Sequence, residues 1–402
     1  MRIGLIAPVF LPLISGASLY CFELARALAA FGHEVHVFTP PSGREDPAYT
    51  LHPILTCRLP DDIEPLLRHS MDVWHSLYFV YAPMAFHVQP FFVTVHGDDA
   101  FSFFVPYRLP LRNVLQRNIL WRLAPSLRNR IDRVLDRGER VYDKFLAARA
   151  LHHVAQVITV SAYTGERVSK HYSAATCRIS VVPPGISEHF FATPLQKKGV
   201  AQKCVNFLTV TRLDDAYRIK NVHGVIAALS LLKDRYDFSY TIVSGTVVGN
   251  YRQELEEQAK QSGLQNRVFF KGRLSDEALA DCYRDADLFI LASYAEPGNF
   301  EGFGIVFLEA NASGVPVLTT RSGGMTDYVV DGQNGLYADD PSPDGISRAL
   351  IRYFEGEVIF EPETLRAFAE PYRWKNIASR VLDLYARFGK NSQLTRVAVE
   401  QR

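Results

Sequence analysis

Short apolar segments alternate with longer amphipathic ones along most of the chain. The short segments are rich in β-branched and aromatic residues, which is typical of strands, and the segments between them have helical spacing. Strands that are apolar on both faces are typical of parallel sheets covered by helices on both sides. We therefore predict ten strands: IGLIAP, EVHVFTP, FFVTVHG, VITVSA and ISVVPPG in the first half, and VNFLTVTRL, SYTIVSG, VFFKG, LFILAS and VPVLTT in the second.

Two such sets of strands predict an α/β protein with two doubly wound parallel-sheet domains. The segment from Gly185 to Lys203 contains a proline and a Lys/Gln-rich stretch before the next strand, which is typical of a linker. We place the first domain at residues 1–190 and the second at residues 191–370.

The last part of the chain predicts a helix. Residues 371–402 follow the last strand-helix unit, and the stretch from Glu370 to Phe388 has apolar residues at helical spacing. We expect this helix to pack back toward the first domain. Its predicted buried positions are Trp374, Ile377, Val381, Leu384 and Tyr385.

Composition narrows the function classes. The chain has 402 residues, 48% of them hydrophobic and 22% charged, as in globular proteins. A net charge of +1 argues against a nucleic-acid partner. The five cysteines have no zinc-ligand spacing and suit free thiols in the cytoplasm. No apolar stretch approaches the roughly twenty residues that a membrane-spanning helix needs.

The segment EPGNFEGFGIVFLEANASGVPV carries the most informative pattern. Glu301 and Glu309 enclose an apolar run that begins with Gly-Phe-Gly, after a predicted strand and loop. A helix beginning near Gly304 would present unpaired amides, which favour a phosphate. Eight helical residues rise about 12 Å, so the two carboxylates suit opposite ends of an elongated ligand with hydroxyls at each end. The alternative is a surface helix with two acids.

A cation pair follows the first strand of the second domain. Arg212 and Lys220 lie in TVTRLDDAYRIKNV, directly after a predicted strand. In open parallel sheets, ligands bind beyond the carboxyl ends of strands. Arginine and lysine together suit a diphosphate, because the planar guanidinium donates two parallel hydrogen bonds and the ammonium supplies a compact positive charge. Acid pairs such as Asp98-Asp99 could bind a metal, but solvated loops also contain them, and we predict no metal site.

The ordered set of these motifs resembles the retaining glycosyltransferases of family 4, the group 1 glycosyltransferases, across nearly the whole chain. The resemblance includes LISGASLYCFELARALAAFGHEVHVFT, TVHGDD, VITVSAYTGERV, ISVVPPGISEHFF, RVFFKGRLSDEALADCYRDADLFILAS and GGMTDYVVDGQNGLY. It implies the GT-B fold, two Rossmann-like domains facing a central cleft. It also implies a first domain that binds the acceptor and a second that binds the nucleotide sugar.

The resemblance implies a role for each matching residue. Glu309 is similar to the glutamate that binds the ribose, Glu301 to the one that contacts donor-sugar hydroxyls, and His96 to the histidine near the anomeric carbon. Catalysis is expected from His96, Glu301, Arg212 and Lys220. Nucleotide-sugar binding is expected from Gly16, Arg212, Lys220, Gly272, Leu274, Glu301, Gly302, Phe303, Gly304, Ile305 and Glu309.

Three departures affect the details. The first glycine loop has a single glycine, Gly16, where relatives often have two. Asp327 stands where a glutamate is usual, and Asp98 and Asp99 stand where many relatives differ. We expect Asp98 and Asp99 to influence acceptor or sugar selectivity.

The reaction implied is transfer of a hexose-type sugar, with retention, from a nucleotide sugar to a glycan or lipid-linked acceptor. A UDP-sugar is the first choice of donor and a GDP-sugar the second, with no cofactor or metal required. The implied setting is polysaccharide or cell-surface glycan synthesis. Alternatives are a sugar-nucleotide epimerase on the same fold or a catalytically silent binding module. A nicotinamide oxidoreductase would need Gly-x-Gly-x-x-Gly, which APVFLPLISGAS lacks.

Residues 101–150 form the most basic segment. They include eleven Arg and Lys residues against four acids, with aromatic residues between them. Basic amphipathic helices can lie on anionic membranes. This predicts a peripheral contact with the inner leaflet at the cytoplasmic face; the alternative is a solvated helical face.

Overall fold

The computed structural model describes residues 1–12, 15–101, 141–142, 144–172, 178–192, 194–195, 204–245, 247–296 and 298–399. Contacts divide the chain into two compact units. The first comprises residues 1–182 and 378–402, and the second residues 183–377. The most basic stretch of the predicted membrane-contact segment, residues 102–140, lies outside the described residues.

The first unit contains one parallel sheet, which has seven strands among its described residues. The strands are β1 (Arg2–Ile6), β2 (Glu34–Phe38), β3 (Thr50–His52), β4 (Val73–Ser76), β5 (Phe91–Val95), β6 (Gln156–Thr159) and β7 (Ile179–Val181). Their order in the sheet is β3-β2-β1-β4-β5-β6-β7, and Ile3 of β1 lies opposite both Val35 of β2 and Val73 of β4. The sequence order therefore reverses between β1 and β4.

Helices cover this sheet and bury an apolar core. Helix α1 begins at a capping box in which Ser15 and Ser18 satisfy each other's backbone amides. The core includes Phe38, Trp74 and Phe91. The helical segments before the last helix are α1 (Gly16–Ala30), α2 (Leu59–Leu67), residues 144–151, α3 (Ala162–Tyr172), and 3₁₀ helices at Phe79–Phe86 and Asp98–Ala100.

The second unit repeats the arrangement with six strands among its described residues. The strands are β8 (Val205–Val210), β10 (Phe238–Val243), β12 (Val268–Lys271), β13 (Leu288–Leu291), β14 (Val317–Thr320) and β15 (Gly335–Ala338), with β9 (Leu213–Asp214) and β11 (Val247–Val248) paired separately. The order in the sheet is β12-β10-β8-β13-β14-β15, and Leu208 of β8 lies opposite both Thr241 of β10 and Phe289 of β13. Here the sequence order reverses between β8 and β13.

The helices of the second unit surround a core that includes Phe207, Tyr240 and Leu288. The α-helices are α4 (His189–Ala192), α5 (Val222–Ser230), α6 (Tyr251–Gln261), α7 (Asp276–Asp285), α8 (Ile305–Ala312), α9 (Pro343–Phe354) and α10 (Pro362–Ala369). Short 3₁₀ helices occur at Asp215–Lys220, Gly323–Asp327 and Glu370–Tyr372. All ten predicted strands are present, which confirms the parallel α/β prediction.

The division between the units falls earlier than residue 190. Ile186 forms a backbone bridge with Arg373, and the Arg373 guanidinium pairs with Glu188, so residues 183–190 belong to the second unit. Within the predicted linker, residues 189–192 form helix α4.

The last helix, α11 (Trp374–Val399), contributes to both units, because its residues from 378 onward group with the first. All five of its predicted apolar positions are buried. In the first unit, the Tyr385 hydroxyl lies 2.6 Å from Nδ1 of buried His75. In the described part of the chain, none of the helices has both the length and the apolar composition that crossing a membrane requires.

Candidate active site

Two strands of the second unit bring the predicted donor-binding residues to one edge of the sheet. β8 and β13 are neighbours, and they flank the point where the strand order reverses. Arg212 and Lys220 follow β8, and Glu301 follows β13. The crevice at the carboxyl ends of such strands is the usual ligand site in an open α/β sheet. The topology therefore supports a ligand site at these residues.

Lys220 and Glu301 form an ion pair. The Lys220 Nζ contacts Glu301 Oε2, and the two side chains are only 17% and 14% exposed. The loop after β13 is tied to the 3₁₀ helix that carries Lys220. Tyr294 N–H donates to Ile219 C=O at 3.0 Å, and the Asn299 side chain donates to Ala216 C=O at 3.2 Å. A cation and a hydroxyl acceptor are thus held side by side.

Two glycines position the backbone of Glu301. Gly324 N–H donates to the Glu301 carbonyl at 2.8 Å. Gly323 has a φ of +64°, and a Cβ there would lie 2.5 Å from the same carbonyl oxygen. Only glycine permits both the left-handed conformation and this close approach. The Gly323-Gly324 pair is therefore a support for Glu301, which the sequence motif did not indicate.

Arg212 is held by neighbours on its own loop. Its guanidinium donates to Asp214 Oδ2 at 3.0 Å and lies 4.4 Å from the centre of the Tyr217 ring. Asp214 also accepts from Ala216 N–H at 3.0 Å, which fixes its position. The Arg212 Nε is buried and has no hydrogen-bond partner among the described residues. A buried donor without a partner is unusual, and a ligand oxygen would satisfy it.

Helix α8 begins directly after the Gly-Phe-Gly segment. Its N-cap, Gly304, has a φ of +89°, and no capping side chain bonds to the first amides. Gly302 and Phe303 are buried, and Ile305 is partly buried. The Phe303 ring packs near those of Tyr328 and Tyr372. The predicted helix start is confirmed, and the amide end of α8 follows Glu301 by only a few residues.

Glu309 is buried on α8 and accepts a hydrogen bond from a tyrosine. The Tyr283 hydroxyl donates to Glu309 Oε2 at 2.7 Å. Burial raises the pKa of Glu309 to about 7, and the negative charge of Asp276 adds to the rise, whereas the Tyr283 bond opposes it. Glu309 does not contact the Lys220–Glu301 pair through any hydrogen bond among the described residues. The sequence-based prediction treated the eight residues between the two glutamates as helical, but Glu301 lies in the loop before α8 and only Glu309 is on the helix.

The predicted base-binding loop follows β12. Gly272 is exposed, and a Cβ there would meet no atom within 4 Å, whereas Leu274 is partly buried. Ser275 caps α7 by accepting from Ala278 N–H at 3.2 Å. The loop is therefore open at its tip and anchored at the helix that carries Tyr283.

His96 lies in the first unit at the carboxyl end of β5. Its Nε2 donates to the Leu77 carbonyl, at the end of β4, over 2.9 Å, and the Tyr20 ring of α1 meets it edge-on with 4.7 Å between centres. Burial lowers the pKa of His96 to about 4. His96 is therefore a neutral imidazole, and the bond from Nε2 leaves Nδ1 as its acceptor nitrogen.

Asp99 supports the turn that carries His96. Its Oδ1 accepts from His96 N–H at 2.9 Å and Gly97 N–H at 3.0 Å, and burial raises its pKa to about 6 while these bonds oppose the rise. Asp98 is only partly buried. Gly16 is exposed at the first position of α1. The selectivity role of the two aspartates and the phosphate role of Gly16 stay predictions.

The adjacent acid pairs are the candidate metal ligands of the sequence. No group of three or more His, Cys, Asp or Glu side chains within the described ranges could hold a metal ion. Asp214 is paired with Arg212, Asp215 with Arg218, and Asp339 with Arg348. These acids therefore serve ion pairs on the protein itself.

Both halves of the chain match models of known protein families. Residues 14–190 match the model described as Glycosyltransferase Family 4, and residues 193–373 match the model described as Glycosyl transferases group 1. The chain belongs to the group 1 glycosyltransferases. It is therefore an enzyme that transfers sugars, and retention of the anomeric configuration is typical of this family.

Similar proteins agree with this family and its GT-B fold. The chain is 27% identical to a D-inositol 3-phosphate glycosyltransferase of Arthrobacter sp., over 81% of this chain and 78% of the relative. It is 28% identical to a GDP-mannose-dependent alpha-(1-6)-phosphatidylinositol monomannoside mannosyltransferase of Mycolicibacterium smegmatis, over 59% of this chain and 64% of that one. Anabaena HepE in complex with UDP has a similar fold, with a TM-score of 0.66, 17% identity, and coverage of 96% and 100%.

Proposed function

We propose that this group 1 glycosyltransferase moves a hexosyl residue from a nucleoside-diphosphate sugar to a glycan or glycolipid acceptor, with retention. The observation that carries the proposal is the Lys220–Glu301 pair at the strand-order reversal of the second unit. A cation beside a partly buried hydrogen-bond acceptor suits a phosphate next to a sugar hydroxyl. The partnerless Nε of Arg212, on the loop after the same strand as Lys220, supports a second phosphate contact.

Each residue has a part in the proposed reaction. As the bond from the anomeric carbon to the phosphate oxygen breaks, the acceptor hydroxyl oxygen bonds to that carbon and its proton passes to an oxygen of the departing diphosphate. Negative charge develops on that diphosphate as it leaves. Arg212, Lys220 and the first amides of α8 stabilise that charge. Electrostatic stabilisation of this kind is usually the largest contribution to the rate enhancement. Glu301 accepts hydrogen bonds from sugar hydroxyls and Glu309 from the ribose. His96, as a neutral imidazole, contacts the donor sugar near the reacting carbon.

A UDP-sugar is the proposed donor. The support is that Anabaena HepE, a structure with a similar fold, is described in complex with UDP. GDP-mannose is the second candidate, because the Mycolicibacterium smegmatis relative is named as dependent on it. The loop with Gly272 and Leu274 is the part of the second unit that we propose binds the base. A comparison of nucleotides that differ in the base therefore also tests the role of this loop.

The proposed acceptor is a polar lipid headgroup or a cell-surface glycan under assembly. Two relatives are named for inositol-containing acceptors, one of them a phosphatidylinositol glycoside. We place the reaction at the cytoplasmic face of the membrane. The basic residues of segment 101–150 would contact anionic lipid there.

Calorimetric titration tests the donor site. UDP, GDP, ADP and NAD are each titrated into the protein, with and without magnesium. We expect one nucleoside diphosphate to bind tightly, and Glu309→Ala to weaken that binding strongly. Glu256→Ala is the matched control, because Glu256 is an exposed acid paired with Arg252 on α6. Equal binding by Glu309→Ala and the wild type would overturn the proposed site, and the tight binder indicates which sugars to assay with acceptors.

A further inference from the structure

Tyr283 and Glu309 form a buried pair between α7 and α8. Tyr283 is completely buried and Glu309 is 7% exposed. The Tyr283 hydroxyl bonds to Oε2 of the carboxylate at 2.7 Å. Oε1 receives no hydrogen bond from the described part of the chain. One carboxylate oxygen is therefore held by the protein, while the other is left to accept from a ligand.

The surrounding rings fix the tyrosine. Phe190 of α4 meets the Tyr283 ring edge-on, with 5.6 Å between centres and 85° between planes. Phe289 of β13 lies on another side at 5.7 Å. Ring packing of this kind leaves the hydroxyl few alternative positions. Because Glu309 has an unbranched, flexible side chain, its orientation depends on the one bond that Tyr283 supplies.

We infer that Tyr283 is a positioning residue for donor recognition, because its hydroxyl holds the Glu309 carboxylate in the orientation that reads the ribose hydroxyls. This inference rests on the proposed function, in which Glu309 binds the ribose. The sugar-binding end of the site, at Glu301, does not involve Tyr283. Loss of the Tyr283 hydroxyl therefore weakens ribose recognition specifically. The difference in affinity between nucleotides with and without ribose hydroxyls measures this loss.

The test compares UDP with 2′,3′-dideoxy-UDP, which lacks the hydroxyls that Glu309 would read. Calorimetry gives the ratio of the two dissociation constants for the wild type, Tyr283→Phe and Glu309→Gln. We expect Tyr283→Phe to lower this ratio about ten- to a hundredfold, the effect of losing one hydrogen bond to a charged group. The affinity for the dideoxy nucleotide should change by less than about twofold, since the lost bond bears on the hydroxyls alone.

Tyr240→Phe is the matched control. The Tyr240 hydroxyl is also completely buried in the second unit and lies 2.7 Å from Thr209 Oγ1. Tyr240→Phe tests the general effect of deleting a buried tyrosine hydroxyl. The ratio of the two dissociation constants should stay at the wild-type value. Thermal unfolding of both variants checks that the second unit remains folded. Phe190→Leu keeps the Tyr283 hydroxyl but loosens its ring, and should give an intermediate ratio if Tyr283→Phe fails to fold.

The outcomes separate the inference from the proposed function. If Glu309→Gln lowers the ratio and neither Tyr283→Phe nor Phe190→Leu does, the positioning role is overturned and the ribose role of Glu309 stands. If Glu309→Gln keeps the wild-type ratio, the proposed ribose contact itself fails. If Tyr240→Phe lowers the ratio as much as Tyr283→Phe, the effect is structural and the inference is also overturned.

Discussion

The Lys220 ammonium and the Glu301 carboxylate are paired in a largely buried setting, although the sequence predicts different ligand groups for them. Lysine suits the diphosphate and glutamate the sugar hydroxyls. The pair keeps each charge neutralised when no donor is present. Donor binding would then place phosphate and sugar at the two ends of an existing salt bridge.

Breaking this pair from one side should destabilise the second unit. Lys220→Ala leaves Glu301 as an uncompensated charge, so we expect the free energy of unfolding to fall by about 3 kcal/mol, as for other buried pairs. Lys220→Ala/Glu301→Gln removes the stranded charge and should recover most of the loss. Urea unfolding of the wild type, both single variants and the double variant measures the coupling. Additive effects would mean that the pair contributes nothing as a pair.

Gly323→Ala should impair both stability and turnover. The new Cβ would lie 2.5 Å from the Glu301 carbonyl oxygen, at a residue whose φ is +64°. We expect a loss of about 1–3 kcal/mol from backbone strain, with a further loss from displacement of Glu301. Gly332→Ala is the matched control, because Gly332 has a φ of +73° but no atom within 4 Å of its Cβ position. Turnover should fall for Gly323→Ala and stay near wild type for Gly332→Ala.

The titration of Glu309 should appear in the pH dependence of stability. Burial raises its pKa from an ordinary 4.5 to about 7. The folded protein therefore favours the protonated carboxyl more than the unfolded chain does. The stability that this preference contributes is fully present below pH 4.5 and is lost as the pH rises through 7. Relative to Glu309→Gln, the unfolding free energy of the wild type should fall by about 3 kcal/mol across this window. Asp99, which titrates in part of the same window, is common to both proteins and cancels in the comparison.

Donor affinity should rise with pH, whereas the free energy of unfolding falls. The ionised carboxylate is the form that accepts two hydroxyl hydrogen bonds, so affinity should rise by about tenfold from pH 6 to pH 8. An intact nucleotide sugar is the probe, since the terminal phosphate of a free diphosphate titrates near pH 6 by itself. Besides burial, the groups that shift the Glu309 pKa are Tyr283, through its hydrogen bond, and Asp276, through its charge. A slope that persists in Glu309→Gln would assign the titration to another group.

Within the described residues, the hydrophobic pattern predicted ten strands and missed β3, β4, β9, β11 and β15. The segment VWHS forms the central strand β4, yet it contains two buried polar residues. His75 bonds to the Tyr385 hydroxyl, and the Ser76 hydroxyl donates to the Tyr78 carbonyl two residues later. Strands β3, β9 and β11 have only two or three residues, too few to show a period. β15 contains a glycine and a tyrosine within a turn-rich stretch, GQNGLYA.

The candidate site was predictable where residues follow strands, and not where they meet only in three dimensions. Arg212, Lys220 and Glu301 follow parallel strands, so topology alone brings them to one edge. Tyr283 contacts Glu309 from a helix 26 positions earlier, and no spacing rule relates the two. Gly323 contacts Glu301 through its backbone, a relationship that depends on loop conformation. The Lys220–Glu301 pairing itself could not be read from the order of motifs.

His96 should act as a neutral group, and its loss should affect turnover more than binding. Its Nε2 hydrogen bond to the Leu77 carbonyl and a pKa lowered to about 4 by burial keep it uncharged above pH 5. We expect His96→Ala to lower kcat about 100-fold, the usual effect of removing one group at a developing charge, with UDP affinity within about threefold of wild type.

The pH profile of kcat separates this role from that of a titrating acid or base. Between pH 5.5 and 8.5, the wild-type profile should have no limb that His96→Ala removes. His87→Ala, at an exposed histidine of the same unit, controls for loss of an imidazole elsewhere. A limb near pH 6.5 that disappears in His96→Ala would show that the imidazole gains a proton during turnover. The burial and hydrogen bonding that hold it neutral in this structure would then have to change when the donor binds.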